Sequence, residues 1–222
     1  MAESGAIALL WLVFGGTHMT LSSLRLRPKL VAVLSERGFL GVYSLVAFAT
    51  FVPLVWLYFA SKHAGPHLFH LGGLPGVRAI AYLVMGAALA LLVAGIVRPS
   101  PASVAPGSPE PAGVLRVTRH PVFMAFGMFG FVHLLVASVN LAELAFFAGF
   151  PAFALIGSWH QDARKLATGD EAFRRFHAAT PFLPFSAPSG VIAALREDAL
   201  PIGIGVVAAV VIRWFHPQLF GG

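Results

Sequence analysis

Six apolar runs dominate this chain: Gly5 to Leu21, Gly38 to Ala60, Val77 to Val97, Pro121 to Ala137, Leu141 to Trp159 and Ala199 to Phe215. Each has the length, roughly 17 to 25 residues, that carries an α-helix across a hydrocarbon core about 30 Å thick. Backbone in lipid must satisfy its own N–H and C=O groups, which leaves helices or closed barrels, and runs this continuous are helical. Composition agrees, with 58 % hydrophobic and 11 % charged residues against about 25 % charged in soluble domains. The expected fold is therefore all-α: a polytopic membrane protein, a bundle of about six transmembrane helices in a single membrane domain over residues 1–222. A secretory signal opens on basic residues and ends at a small-residue cleavage site. The only charge before the first run is Glu3, so that helix is expected to be retained.

Orientation follows from the cations. The connections after the first, third and fifth runs hold Arg25, Arg27, Lys29 and Arg37, then Arg98, Arg116 and Arg119, then Arg164, Lys165, Arg174, Arg175 and Arg196. Only Lys62, Arg78 and Arg213 fall on the other side. Cytoplasmic loops collect Lys and Arg, so both termini are expected to face outward and the three basic connections to face the cytoplasm. The formal charge of +6 is then a topology signal and an attraction to anionic lipid. No nucleic-acid partner is needed to explain it. The absence of cysteine excludes disulfides, thiolate catalysis and cysteine ligation of haem or iron–sulfur clusters.

Two connections are long. Pro99 to Gly113 carries prolines at 99, 101, 106, 109 and 111, which predicts an extended, mobile cytoplasmic loop. In His160 to Asp198, Phe173, Phe176 and Pro181 to Phe185 are expected to lie on the membrane surface while basic residues meet headgroups.

Ionisable residues inside spans are costly enough to be functional candidates by default. His18 and His133 qualify, whereas Glu143 and Arg213 sit near span ends and can snorkel. At a rise of about 1.5 Å per residue, His18 lies about 5 to 10 Å from the inner edge and His133 about 18 Å in from it. Helical side chains lean toward their own N-terminus, so the two imidazoles lean toward a common level. Two opposed imidazoles suit axial ligation of a haem iron; equally, each ring can donate a hydrogen bond to a carbonyl or hydroxyl of a neighbouring helix.

At the inner edge, Arg119 and His120 precede Pro121, a residue suited to the first turn of a helix. They form either an anion-attracting helix start or a cap with a headgroup contact. Arg25, His160, Asp162 and Arg164 belong to the same membrane face, which makes a polar cluster of Arg25, Arg119, His120, His160, Asp162 and Arg164 the second candidate site. His63, His67 and His70 have helical spacing, but Gly65-Pro66 interrupts it, and His177 and His216 read as interfacial residues.

Several of these segments, HMTLSSLR at His18 to Arg25, RGFLGVYSLVAFAT at Arg37 to Thr50, RVTRHP at Arg116 to Pro121, His133, and GSWHQDARKL followed by GDEAF and PF, resemble the NnrU family. That family is similar to plant and algal zeta-carotene isomerase. The likeness runs from about residue 6 to 186, ahead of a final helix over about 199–215. It implies a polytopic membrane protein with haem b, held by His18 and His133, and an association with denitrification. Ala125, Phe129 and Ser138-Val139-Asn140 stand where the family has glycine, tryptophan and Asn-Gly-Asp.

Three functions follow as expectations. The first is a haem-b membrane protein in redox or nitric oxide metabolism, or a haem-dependent cis-trans isomerase of a polyene lipid held near Phe123, Phe126, Phe129 and Phe131. The second is a membrane methyltransferase with S-adenosylmethionine near Arg119, His120 and Asp162, since RHP before a helix also resembles isoprenylcysteine carboxyl methyltransferase. The third is a structural subunit packed among other membrane proteins of a respiratory or photosynthetic complex.

Overall fold

The computed structural model describes residues 1–103, 107–169 and 171–220, Phe220 by its backbone alone. Val104 to Pro106 of the proline-rich loop, Asp170 of the GDEAF segment and the final two glycines lie outside the described residues. The elements are α1 (Ala2–Leu21), α2 (Arg27–Ser61), β1 (His67–Phe69), α3 (Val77–Val97), a 3-10 turn at Gly113–Arg116, α4 (Pro121–Val136), β2 (Val139–Asn140), α5 (Leu141–Thr168), α6 (Glu171–Ala179), α7 (Pro188–Glu197) and α8 (Ala199–Phe220).

Among the described residues, five helices (α1, α2, α3, α5 and α8) are long and apolar enough to cross a membrane, and α4 is a shorter apolar helix. The sixth expected span is thus a 16-residue helix, about 24 Å long at 1.5 Å per residue. It packs against α3 on one side and α5 on the other. α2 and α8 bury only 6 % of their apolar windows, presenting Phe48, Trp56, Val207 and Trp214 outward, which suits lipid-facing helices.

Contacts between loops show which helix ends lie together. The connections before α3 and after α4 meet at one end, where β1 pairs antiparallel with β2 and His70 Nδ1 lies 3.2 Å from the Ala137 carbonyl. The basic connections meet at the other end, where Arg98 bonds Asp198 and the 3-10 turn packs on α7. The start of α1 and the end of α8 therefore sit at the end opposite the basic loops.

Local sequence explains most boundaries. Pro28, Pro121 and Pro188 open α2, α4 and α7, positions where a missing N–H costs nothing. Asn140 caps α5, its Oδ1 accepting from the N–H groups of Ala142 and Glu143 at 3.2 and 3.4 Å. Inside α2, Ser35 leaves helical geometry (φ 65°, ψ 168°). Arg27 pairs with Glu36 across that break. In a continuous helix, nine residues would separate the pair by about 13.5 Å along the axis, so the first segment must fold back.

Because lipid is as apolar as a side chain, membrane helices associate through close packing, which small residues permit. A Cβ on Gly149 would run into the Trp11 indole, and one on Gly130 into the Phe147 carbonyl. The core has two clusters. One joins Ile7, Trp11, Phe14, Leu54, Tyr58, Phe146, Phe147 and Phe150 of α1, α2 and α5. There the Trp11 N–H donates to the Phe146 carbonyl at 3.0 Å.

The other cluster, at the basic end, corrects two expectations. Phe173 and Phe176 are buried there with Leu91, Leu115 and Ala125 instead of lying on a membrane surface. They face inward because the amphipathic α6 turns its aromatic side onto the bundle. The loop after α3 is likewise not free where it is described: Ser100 and Ala102 are buried. At its far end, Gly113 and Val114 donate backbone N–H groups to Glu197 and Asp198. Its prolines prevent a helix without preventing packing.

A cation-lined cavity at the basic end

Two polar arrangements lie side by side around the last turns of α5. Asp162, which is 5 % exposed, accepts from Arg119 Nε at 2.8 Å and lies 2.9 Å from His120 Nε2 and 3.5 Å from His177 Nε2. Arg119 also donates to the Thr180 carbonyl at 2.7 Å, and its guanidinium lies 5.2 Å from the centre of the Phe182 ring. Its backbone N–H donates to the Pro181 carbonyl. The network ties the start of α4, the end of α5 and the segment after α6 into one unit. Arg119, His120 and Asp162, the side chains expected near S-adenosylmethionine, bond to one another here, and the network clamps these three segments together.

His177, read from sequence as an interfacial residue, belongs to this clamp. Burial lowers its pKa and the nearby Arg119 lowers it further, against a smaller opposing pull from Asp162. The ring is therefore held toward its neutral form.

The expected six-residue cluster divides. Arg119, His120 and Asp162 form the clamp, whereas His160 and Arg164 line a separate cavity with His18. Arg25 is exposed in the turn after α1 and joins neither. The cavity, about 130 Å³, lies where α1, α2 and α5 meet. One wall is apolar: Phe39 and Leu40 of α2, Phe123 of α4, Phe153 of α5. The other carries Ser22, Arg27, Glu36, Tyr43, Arg164 and Lys165.

Among the described residues, Glu36 is the cavity's one carboxylate, and it is bound to Arg27. That pair is half exposed, and exposed ion pairs contribute only about 0.2 to 1 kcal/mol. Arg164 and Lys165 form no ion pair among the described residues, and Arg164 Nε is buried without a hydrogen-bond partner. A desolvated donor without an acceptor is unfavourable, so the Arg164 guanidinium has capacity left for an acceptor in the cavity. Arg164 was foreseen; Arg27, Glu36, Tyr43 and Lys165 were not. Their signal in sequence was Glu36, an isolated carboxylate amid the basic residues between Arg25 and Arg37.

The two membrane histidines occupy different surroundings. His18 packs on Phe14, Tyr43 and Phe153, with Nδ1 2.9 Å from the Phe14 carbonyl. His133 stacks on Phe147 at 4.6 Å, lies 6.4 Å from the His216 ring and has Nδ1 2.8 Å from the Phe129 carbonyl. Phe147 and Phe153 are six residues apart on α5, about 9 Å along the helix. Trp11, Phe129 and Phe150 fill the space between: the Phe150 ring is 5.0 Å from Trp11 and 5.1 Å from Phe129.

Two imidazoles on one metal ion hold their nitrogens about 4 Å apart. The packing therefore does not fit His18 and His133 to a single iron. His133 lies within one turn of the Val136 end of α4. The cavity beside His18 does not fit a porphyrin either: roughly 150 Å³ holds a benzene, and this space is smaller.

At the end away from the basic loops, Glu143 is 1 % exposed rather than snorkelling. Its Oε1 accepts the His63 backbone N–H at 2.7 Å and lies 3.1 Å from His63 Nδ1. His63 bends away from any shared helical face with His67 and His70 because its φ is 66°.

No curated protein and no solved structure matches the chain. The family described as NnrU protein matches residues 6–222, a longer reach than the segments that suggested it, and the chain belongs to that family.

Proposed function

We propose that this NnrU-family protein binds the anionic head of an amphipathic molecule in the cavity between α1, α2 and α5, at the cytoplasmic leaflet of a bacterial inner membrane. The observation that carries this reading is the pair Arg164 and Lys165, which face the cavity without a carboxylate partner among the described residues. Arg27 completes the cationic wall, and the Phe123, Phe153 and Phe39 wall takes the first part of an apolar chain. A hydrocarbon polyene has no group to meet those cations, so isomerisation of such a molecule draws no support from this site. Detergent-purified protein is expected to retain an anionic amphiphile through detergent exchange, detected by mass spectrometry of the extracted ligand. The double variant Arg164→Gln, Lys165→Gln is expected to lose it. Identical ligand content in the two proteins refutes the reading.

A second reading keeps haem b, on one observation. In both His18 and His133, Nδ1 faces a carbonyl one turn back. Metal-bound imidazoles are held in that way. This reading requires the aromatic wedge of Trp11, Phe129 and Phe150 to part. Oxidised and reduced absorption spectra test it: a haem b spectrum abolished in His18→Ala and in His133→Ala supports it, and its absence removes it.

A further inference from the structure

We infer that the head bound in this cavity is a phosphomonoester dianion, and that Glu36 is the internal stand-in it displaces from Arg27. The inference rests on the anion-binding reading of the cavity and specifies its ligand.

Charge comes first. Arg27, Arg164 and Lys165 give +3 and Glu36 gives −1, so the cavity wall carries a formal +2, which a dianion neutralises. Geometry comes second. The guanidinium forks of Arg27 and Arg164 approach from α2 and α5, and such forks match phosphate oxygens two at a time. A phosphate fits the 130 Å³ cavity, whereas a porphyrin is too large.

Glu36 reaches Arg27 only because the chain breaks at Ser35 (φ 65°). Beyond the break, Ser35 Oγ accepts the Gly38 N–H at 3.4 Å, so α2 restarts with Glu36 in its first turn. The Arg27 guanidinium lies 5.2 Å from the centre of the Phe39 ring, which keeps it at the cavity without the carboxylate. The Glu36 side chain is 54 % exposed, so it has solvent to swing into when a phosphate arrives. No covalent step is involved: one counter-ion replaces another.

The phosphate has two sources, a lipid headgroup or a soluble phosphate compound. The test uses the full-length protein in phosphatidylcholine nanodiscs. These contain phosphatidic acid, a monoester, or phosphatidylglycerol, a diester, or no anionic lipid, and inorganic phosphate is titrated into the phosphatidic acid discs and those free of anionic lipid. Binding is read by native mass spectrometry.

Phosphatidic acid is expected to bind about fivefold more tightly than phosphatidylglycerol, from one added charge at a partly solvated site. Glu36→Gln is expected to tighten binding by about two- to fivefold, the worth of an exposed ion pair. Arg164→Gln is expected to weaken binding, and Lys29→Gln, an exposed residue outside the cavity, to leave it unchanged.

Equal affinity for monoester and diester overturns the dianion assignment. Unchanged or weaker binding by Glu36→Gln overturns the displacement, while wild-type binding leaves the anion-binding reading intact. If neither lipid nor inorganic phosphate binds, both readings fall together. Lipid binding undisturbed by inorganic phosphate supports the headgroup source, and inorganic phosphate competing as strongly as the lipid replaces it with a soluble ligand.

Discussion

Removing the Asp162 carboxylate tests the clamp directly. In Asp162→Ala, Arg119 keeps its charge, its side chain is only 9 % exposed, and among the described residues its one remaining strong acceptor is the Thr180 carbonyl. His120, with a side chain 1 % exposed, loses its ring partner as well. Deleting one member of a buried ion pair costs about 3 to 5 kcal/mol, because the other charge stays buried without compensation. For a chain of this size each kcal/mol moves the melting temperature by roughly 2 to 4 °C, so the variant is expected to melt roughly 6 to 20 °C lower. Asp162→Asn keeps an acceptor oxygen for Arg119 and is expected to fall between the variant and the wild type. The assay is loss of the monodisperse peak on size-exclusion chromatography after heating in detergent. A loss in Asp162→Ala of less than about 1 kcal/mol refutes the clamp; its hydrogen bonds would then be replaceable by water, and the site would be open.

Two further outcomes follow. Gly149→Ala sets a methyl group against the Trp11 indole and is expected to cost about 1 to 3 kcal/mol by overpacking; Gly86→Ala, where nothing lies within 4 Å, is the neutral control in the same melting assay. For His177, a folded-state pKa below the ordinary value means that the unfolded chain takes up the proton first. Its contribution to stability is therefore present above the ordinary histidine pKa, about 6.5, and is lost as pH falls below it. Melting temperatures measured from neutral to mildly acid pH are expected to fall more steeply in the wild type than in His177→Asn; parallel slopes contradict the assignment.

Much of the fold was legible because bilayer thickness converts directly into run length. Val77–Val97 and the start of α4 at Pro121 lie where their apolar runs place them. The positive-inside bias likewise grouped the basic connections that the structure brings to one end. What escaped were the decisions made by packing. Phe173 and Phe176 have the same composition whether they face lipid or a neighbouring helix, and only the return of α6 onto the bundle buries them. A kink is equally silent: Ser35 sits in a run with no proline or glycine nearer than Gly38, yet it folds Arg27 back to Glu36.

The candidate site shows the same division. Depth arithmetic placed His18 and His133 on their helices, but depth constrains only one coordinate, and the lateral one belongs to the aromatic wedge. Family resemblance paired the two histidines; in the structure, the nearest imidazole partner of His133 is His216 on α8, and the polar neighbours of His18 are those around Tyr43, His160 and Arg164. Of the residues expected at the inner edge, Arg164 and His160 line the cavity beside His18. Arg164 and Lys165 are adjacent in sequence, so no arrangement of the bundle separates them. Once α5 carries them to the meeting point of α1 and α2, both side chains line one cavity with Arg27, and the size of that cavity limits how large a bound head can be.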